Sequence, residues 1–167
     1  MKLNVLGLIS AIIAFISIFL PWYSFTYIVT FNFNLLDFAN LAGLLAGVPG
    51  TEALQTWFIW VALALLVIGG LLGLLASFII GGKGKSLLAV GGILVLLSPI
   101  IFAGGLASIG FPLFGSISAD LVSISFFISF GFFLAFVAAI LMLISTRKHP
   151  TEAGAVPLAP AAPPPPQ

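Results

Sequence analysis

The sequence predicts an all-α membrane protein: a four-helix transmembrane bundle carrying a small extracellular β element and a short surface helix. Three observations lead there. Hydrophobic residues fill 62% of the 167 positions and charged residues 5%, against roughly 45–50% and 25% in soluble domains. The stretches 3–20, 57–80, 87–109 and 121–144 are each apolar and free of Asp, Glu, Lys, Arg and His. A helix of about 20 such residues crosses the roughly 30 Å hydrocarbon core. Between the first two stretches, the connection 21–56 is far longer than a turn requires and opens on an alternation of apolar and polar residues.

Each apolar stretch reads as a helix because lipid offers the backbone no hydrogen bonds, so N–H and C=O groups must pair within their own segment. Four crossings put both termini on one side, with the short connection Gly81 to Ser86. Lys2, Lys83, Lys85, Arg147 and Lys148 all fall on that side, while Asp37, Glu52 and Asp120 fall opposite. The positive-inside rule makes the basic side cytoplasmic, giving a multi-pass protein of the plasma (cytoplasmic) membrane. A secretory signal peptide is the alternative reading of the first stretch. Against it, the apolar run exceeds the usual length and Pro21-Trp22-Tyr23 offers no small-x-small cleavage site. The four-span domain covers 1–146, with outer loops 21–56 and 110–120, and a Pro/Ala-rich tail over 147–167 is expected to be disordered with polyproline character. Pro157-Leu158-Ala159-Pro160 in that tail fits P-x-x-P, a pattern common by chance in such composition.

Helices in lipid associate through small residues that let backbones approach. Gly69, Gly73 and Ser77 recur at helical spacing in the second stretch and Gly131, Ala135 and Ala139 in the fourth; Gly7 with Ala11, and Gly104 with Ser108, repeat the pattern. Two readings stand: packing within one bundle, or a face for a second copy. Pro99 in the third stretch frees the carbonyl of Val95 and bends the helix or hinges it, with Ser98 placed to help satisfy the freed groups.

In the first outer loop Tyr23, Phe25, Tyr27, Val29, Phe31, Phe33 and Leu35 alternate with Ser24, Thr26, Thr30, Asn32 and Asn34, and Ile28 alone breaks the polar row. Period two with aromatic and β-branched residues signals a half-buried strand. Thirteen residues at 3.3 Å each reach about 40 Å, so the strand must bend, break or pair as two. Phe111 to Ser118 is the local candidate partner, with Pro112 suited to an edge. An aromatic belt lying in the lipid interface is the alternative. Trp22, Tyr23, Phe25, Tyr27, Phe31 and Phe33 form the candidate outer interaction surface. Asp37 is placed to cap a short surface helix that Gly47 and Pro49 end, and Thr51 and Glu52 to start the second span.

Chemistry is sparse. A net charge of +1 leaves no footprint for nucleic acid. The absence of cysteine removes disulfides and thiolate chemistry. Gly84-Lys85-Ser86 resembles the end of a phosphate-binding loop, but Ile79 stands where that pattern needs glycine. Asp37, Glu52 and Asp120 are weak candidates for a divalent cation, each explained separately by capping. His149 sits in the tail, so no histidine serves as an intramembrane relay. With no ionisable group in the apolar stretches, coupled transport is disfavoured, and a hydroxyl without a base is no nucleophile.

The order of features, with a short inner terminus, a β-patterned outer loop with a surface helix, a tight inner turn and a smaller second outer loop, resembles the claudin and peripheral-myelin-protein tetraspan layout. Trp22 matches the first tryptophan of claudins. Their Gly-Leu-Trp and paired cysteines are missing here, so neither the disulfide nor paracellular pore function carries over. Phe19-Leu20-Pro21-Trp22 is also similar to uncharacterised prokaryotic four-span proteins. The expectation is a non-catalytic tetraspan, not an enzyme, without cofactor. It acts in assembly, scaffolding or as an accessory subunit, with the lipid bilayer, other membrane proteins or a second copy as partners. A passive channel or permease lined by the serines is the alternative.

Overall fold

The computed structural model describes residues 3–45, 57–79, 81–119 and 122–148. Helix α1, Val5–Phe19, starts where the Asn4 side chain accepts a hydrogen bond from the Gly7 N–H. It ends at Leu20, whose extended backbone (φ −85°, ψ 155°) is what a following proline imposes. The predicted long strand divides into β1, Tyr23–Thr26, and β2, Thr30–Phe33, paired antiparallel with Tyr23 opposite Phe33 and Thr26 opposite Thr30. Ile28, the residue that breaks the alternation, is the exposed tip of the hairpin.

Helix α2, Leu35–Leu45, opens on a reciprocal cap. Asn34 Oδ1 accepts from the Asp37 N–H at 2.8 Å, and Asp37 Oδ2 accepts from the Asn34 N–H at 3.2 Å. The cap is therefore Asn34, with Asp37 answering it from inside the helix. Helix α3, Trp57–Phe78, and helix α4, Gly82–Ser108, join through Gly81, whose φ of 89° favours glycine. The expected inner turn Gly81 to Ser86 is mostly the first turn of α4. Strands β3, Phe114–Ala119, and β4, Val122–Ile128, precede helix α5, Phe130–Ser145.

The all-α four-helix transmembrane bundle is not what the chain forms. The described residues make five helices and a four-stranded antiparallel sheet ordered β2-β1-β4-β3. Among the described residues, only α3 and α4, with 22 and 27 residues, are long and apolar enough to cross a membrane. Helices α1 and α5 have 15 and 16 residues, about 22 and 24 Å of rise, short of the roughly 30 Å core. Pro21 stops the first. The second is short because the opening of the expected 121–144 span is strand: Val122, Ile124, Phe126 and Ile128 alternate with Ser123, Ser125 and Phe127, and β1 and β3 lie on either side to pair with it. The segment expected to pair directly with the first strand, Phe111 to Ser118, supplies most of β3 and reaches β1 only through β4.

The four apolar helices α1, α3, α4 and α5 pack antiparallel to their neighbours. Backbone meets backbone where α3 crosses α4: a Cβ on Gly69 would lie 2.7 Å from the Gly91 carbonyl oxygen, and one on Gly91 would lie 2.7 Å from that of Gly69. At one end, the Asn4 N–H donates to the Ser77 carbonyl at 3.0 Å and Asn4 Nδ2 to the Ser145 carbonyl at 3.3 Å. This ties the start of α1 to the ends of α3 and α5. Lys83, Lys85, Arg147 and Lys148 are exposed at that end, and the sheet occupies the other.

Candidate outer interaction surface

The sheet is fixed to the helices by two residues expected on its surface. Trp22 is fully buried, donates Nε1–H to the Ser17 carbonyl at 2.6 Å, and stands edge-on to Phe102 and Phe132 with centroids 5.2 and 5.9 Å away. Such aromatic pairs contribute about 0.5–1.5 kcal/mol beyond their buried area. Tyr23 is buried too, and its hydroxyl donates to the Pro112 carbonyl at 2.7 Å. Burial pushes its phenol up from 10.0 to about 12. Trp22 and Tyr23 are thus supports of the surface, not part of it. Gly131 allows the close approach beside them: a Cβ there would lie 2.7 Å from the Leu20 carbonyl oxygen.

Period two gives the sheet two unlike faces. On one, Phe25 stacks on Phe31 at 4.9 Å and on Phe33 at 5.7 Å, and Phe126 of β4 faces Phe25 across the strands. Phe38 of α2 touches Phe33 at 5.3 Å and Phe102 at 5.6 Å, linking this face to the helices. The opposite face carries hydroxyls and an amide: Ser24 Oγ donates to Asn32 Oδ1 at 2.7 Å, the Thr26 and Thr30 hydroxyls pair at 3.0 Å, and Ser118 Oγ donates to Ser123 Oγ at 3.3 Å. An open cleft of about 200 Å³ lies at the foot of the aromatic face, lined by Gly110, Phe111, Pro112 and Phe126.

What projects furthest from the helices is apolar. Tyr27 is 46% exposed, Ile28 82%, Val29 61% and Phe31 47%. Phe25 and Phe33 are half-buried. Sequence reasoning omitted Ile28 and Val29 from this surface, although the break in the polar row at Ile28 was the available signal of a turn.

The small residues divide. Gly7 meets Ser77 Oγ and Gly73 meets the Met142 methyl, while Ala11, Ala135 and Ala139 are fully buried. Gly104 has nothing within 4 Å of a Cβ, and Ser108 is exposed. Its neighbour Gly105 makes the contact instead, against the Phe58 ring, and Gly91 and Gly92 were overlooked. Ser98 does not serve the Val95 carbonyl; it donates across the seam to the Ala62 carbonyl at 2.8 Å. Pro99 is buried, and α4 continues as helix through it. Ser10, Ser17, Ser77 and Ser145, also buried, donate to carbonyls of their own helices at 2.7–2.9 Å.

Asp37 is engaged in the α2 cap. The other two carboxylates of the weak cation reading, Glu52 and Asp120, lie outside the described residues, as do Lys2, Gly47, Pro49, Thr51, His149 and the remainder of the tail. Comparison with protein-family models, curated proteins and solved structures finds no match.

Proposed function

We propose that this chain is a non-catalytic membrane protein that holds a folded sheet at the bilayer surface as a docking element for another membrane protein, in the manner of an assembly factor or accessory subunit. The α3–α4 hairpin crosses the bilayer. Ile68, Leu71 and Leu75 on α3, and Val90, Ile93 and Leu97 on α4, present exposed apolar side chains suited to acyl chains. Lys83 and Lys85 at the hairpin turn, with Arg147 and Lys148 beside them, mark the cytoplasmic side. The hairpin turn then lies on the cytoplasmic side and the sheet outside.

The observation that carries the docking role is the hairpin tip. Large apolar groups at Tyr27, Ile28, Val29 and Phe31 stand in solvent on a frame anchored by buried Trp22 and Tyr23. Exposed contiguous apolar surface on a rigid element is the usual mark of a protein contact. The buried serines support this reading over a solute path, because their hydroxyls are already given to backbone carbonyls. The claudin-like layout adds nothing to it, since that likeness rested on four spans.

A photo-crosslinking residue at Ile28, activated in native membranes, tests the proposal. A protein adduct of one defined mass is expected from Ile28 and not from Ile68. A chain recovered solely as uncrosslinked monomer from both positions would refute it.

A further inference from the structure

Six large aromatic side chains gather where the helices meet the sheet. Phe19 is 67% exposed, Trp57 60%, Trp60 53%, Phe114 62%, Phe127 37% and Phe130 64%. Five different elements supply them, yet they share one level. Phe19 ends α1, Trp57 begins α3, Phe130 begins α5, and Phe114 faces Phe127 across the β3–β4 pair. That rung adjoins the one at which Ile128 meets Tyr23, the first residue of β1. Trp57 and Trp60, apolar in body with an N–H at the edge, settle at the boundary between hydrocarbon and headgroups, and the four phenylalanines beside them extend the exposed apolar surface on its hydrocarbon side.

Two further constraints fix the level. Toward the other end, the rise from Trp57 or Trp60 to Phe78 is about 27–32 Å, the thickness of a hydrocarbon core, and the exposed Lys83, Lys85, Arg147 and Lys148 lie just beyond it. Toward the sheet, β2 and β3 are the two edge strands among the described residues, with no further described strand beside either. Such edges are not tolerated in hydrocarbon, and the next rungs outward, Ser116 opposite Ser125 and Ser118 opposite Ser123, carry hydroxyls. The boundary thus cannot lie above the Phe114–Phe127 rung.

Resting on the membrane reading above, we infer that the outer lipid–water boundary cuts the base of the sheet at the Phe114–Phe127 rung, so the sheet is rooted in the phospholipid headgroups and stands upright from them. Ser24 shares that rung; β1 runs two residues further, to Thr26, and Ile28 tips the turn beyond it, which puts the hairpin tip about 10 Å above the lipid. The fold presents its docking tip at a set height, within reach of a partner's outer domain.

The chain has no cysteine, so single-cysteine variants carrying a fluorophore report depth without background. Ile28→Cys, Ile68→Cys, Phe114→Cys and Phe130→Cys are labelled and reconstituted in phosphatidylcholine–phosphatidylglycerol vesicles. Each is quenched in turn by headgroup spin-labelled lipid, mid-chain spin-labelled lipid and aqueous iodide. Phe114→Cys and Phe130→Cys should respond several-fold more to the headgroup label than Ile28→Cys does, and Ile28→Cys should respond chiefly to iodide. Mid-chain lipid should quench Ile68→Cys. If Ile68→Cys behaves so while Phe114→Cys meets only iodide, or neither lipid nor iodide, the depth is wrong and the membrane reading stands. Headgroup quenching of Ile28→Cys equal to that of Phe114→Cys means the sheet lies flat, which also overturns the inference. Iodide quenching of Ile68→Cys without lipid quenching removes the membrane reading itself.

Discussion

Replacing Gly69 with alanine should force α3 and α4 apart. A Cβ there would lie 2.7 Å from the Gly91 carbonyl oxygen, 2.8 Å from Val95 Cγ2 and 2.9 Å from the Val95 nitrogen. Two of these three are backbone atoms, so no rotamer change clears the clash. Relief to ordinary contact requires the seam to open by roughly 0.7 Å, and close-packed interiors resist such shifts. The Ser98–Ala62 hydrogen bond, 2.8 Å long, spans the same seam and would stretch to about 3.5 Å, beyond useful length. Overpacking costs about 1–3 kcal/mol and the weakened hydrogen bond about 1 kcal/mol. Alanine's better helix propensity offsets about 1 kcal/mol, leaving a net loss of about 1–3 kcal/mol. Gly104→Ala is the control: nothing lies within 4 Å of a Cβ at that position, so propensity alone acts and stability holds or rises by up to about 1 kcal/mol. Reversible unfolding in mixed dodecyl sulfate–maltoside micelles, followed by circular dichroism, measures both. If the two variants unfold at the same dodecyl sulfate fraction, the backbone-to-backbone seam is not where the structure puts it.

Asn4→Ala removes the acceptor for the Gly7 N–H and the donor to the Ser145 carbonyl, and should cost about 1–3 kcal/mol in the same unfolding assay because both partners are buried. Trp22→Phe keeps most of the packing but loses the bond to the Ser17 carbonyl, a loss of about 1 kcal/mol. Trp22→Ala empties the aromatic cluster and should cost about 3–5 kcal/mol, and equal losses in the two would show that the indole's bulk is not what holds the sheet. Tyr23 gives a pH signature. Its phenol rises from 10.0 to about 12 on folding, so the folded state holds the proton more tightly than the unfolded one. Its contribution is complete below pH 10 and declines as pH climbs from about 10 to about 12. Tyr23→Phe should lose that part of the alkaline slope in unfolding measured against pH, and a slope identical to the parent's would contradict the burial argument. Purified chain in liposomes should add no water or small-solute flux above empty vesicles, since the buried serines are bonded to carbonyls; clear flux would return the permease reading.

Helices α3 and α4 were legible because apolarity runs unbroken through 57–80 and 87–109; the first turn of α4, which holds Lys83 and Lys85, reads as a connection because it is polar. The hairpin was legible as a strand pattern too long for one strand. What failed was the stretch after Asp120. Its period-two alternation from Val122 to Ile128 is real, but Phe127 fills a polar slot and the residues around it are apolar, so a hydropathy reading runs strand and helix together. Tertiary pairing decides the matter, since β4 exists only with β1 and β3 beside it. Spacing also could not say which face of a helix a small residue occupies: Gly104 fits the i, i+4 pattern and points away from every neighbour, while Gly105 meets Phe58. Trp22 and Tyr23 read as surface aromatics because they open an outer loop. Their burial follows from Pro21, which turns the chain back over the end of α1 so that the indole N–H reaches the Ser17 carbonyl.

Sidedness is the most direct test of the whole account, and the cysteine-free chain makes it simple. Ile28→Cys and Lys83→Cys variants are treated with a membrane-impermeant maleimide, first on intact cells and then after the membrane is opened. Labelling of Ile28→Cys at once, with Lys83→Cys protected until opening, is the predicted result. Equal labelling of both positions on intact cells, or a chain that carbonate washes free of the membrane, would contradict it.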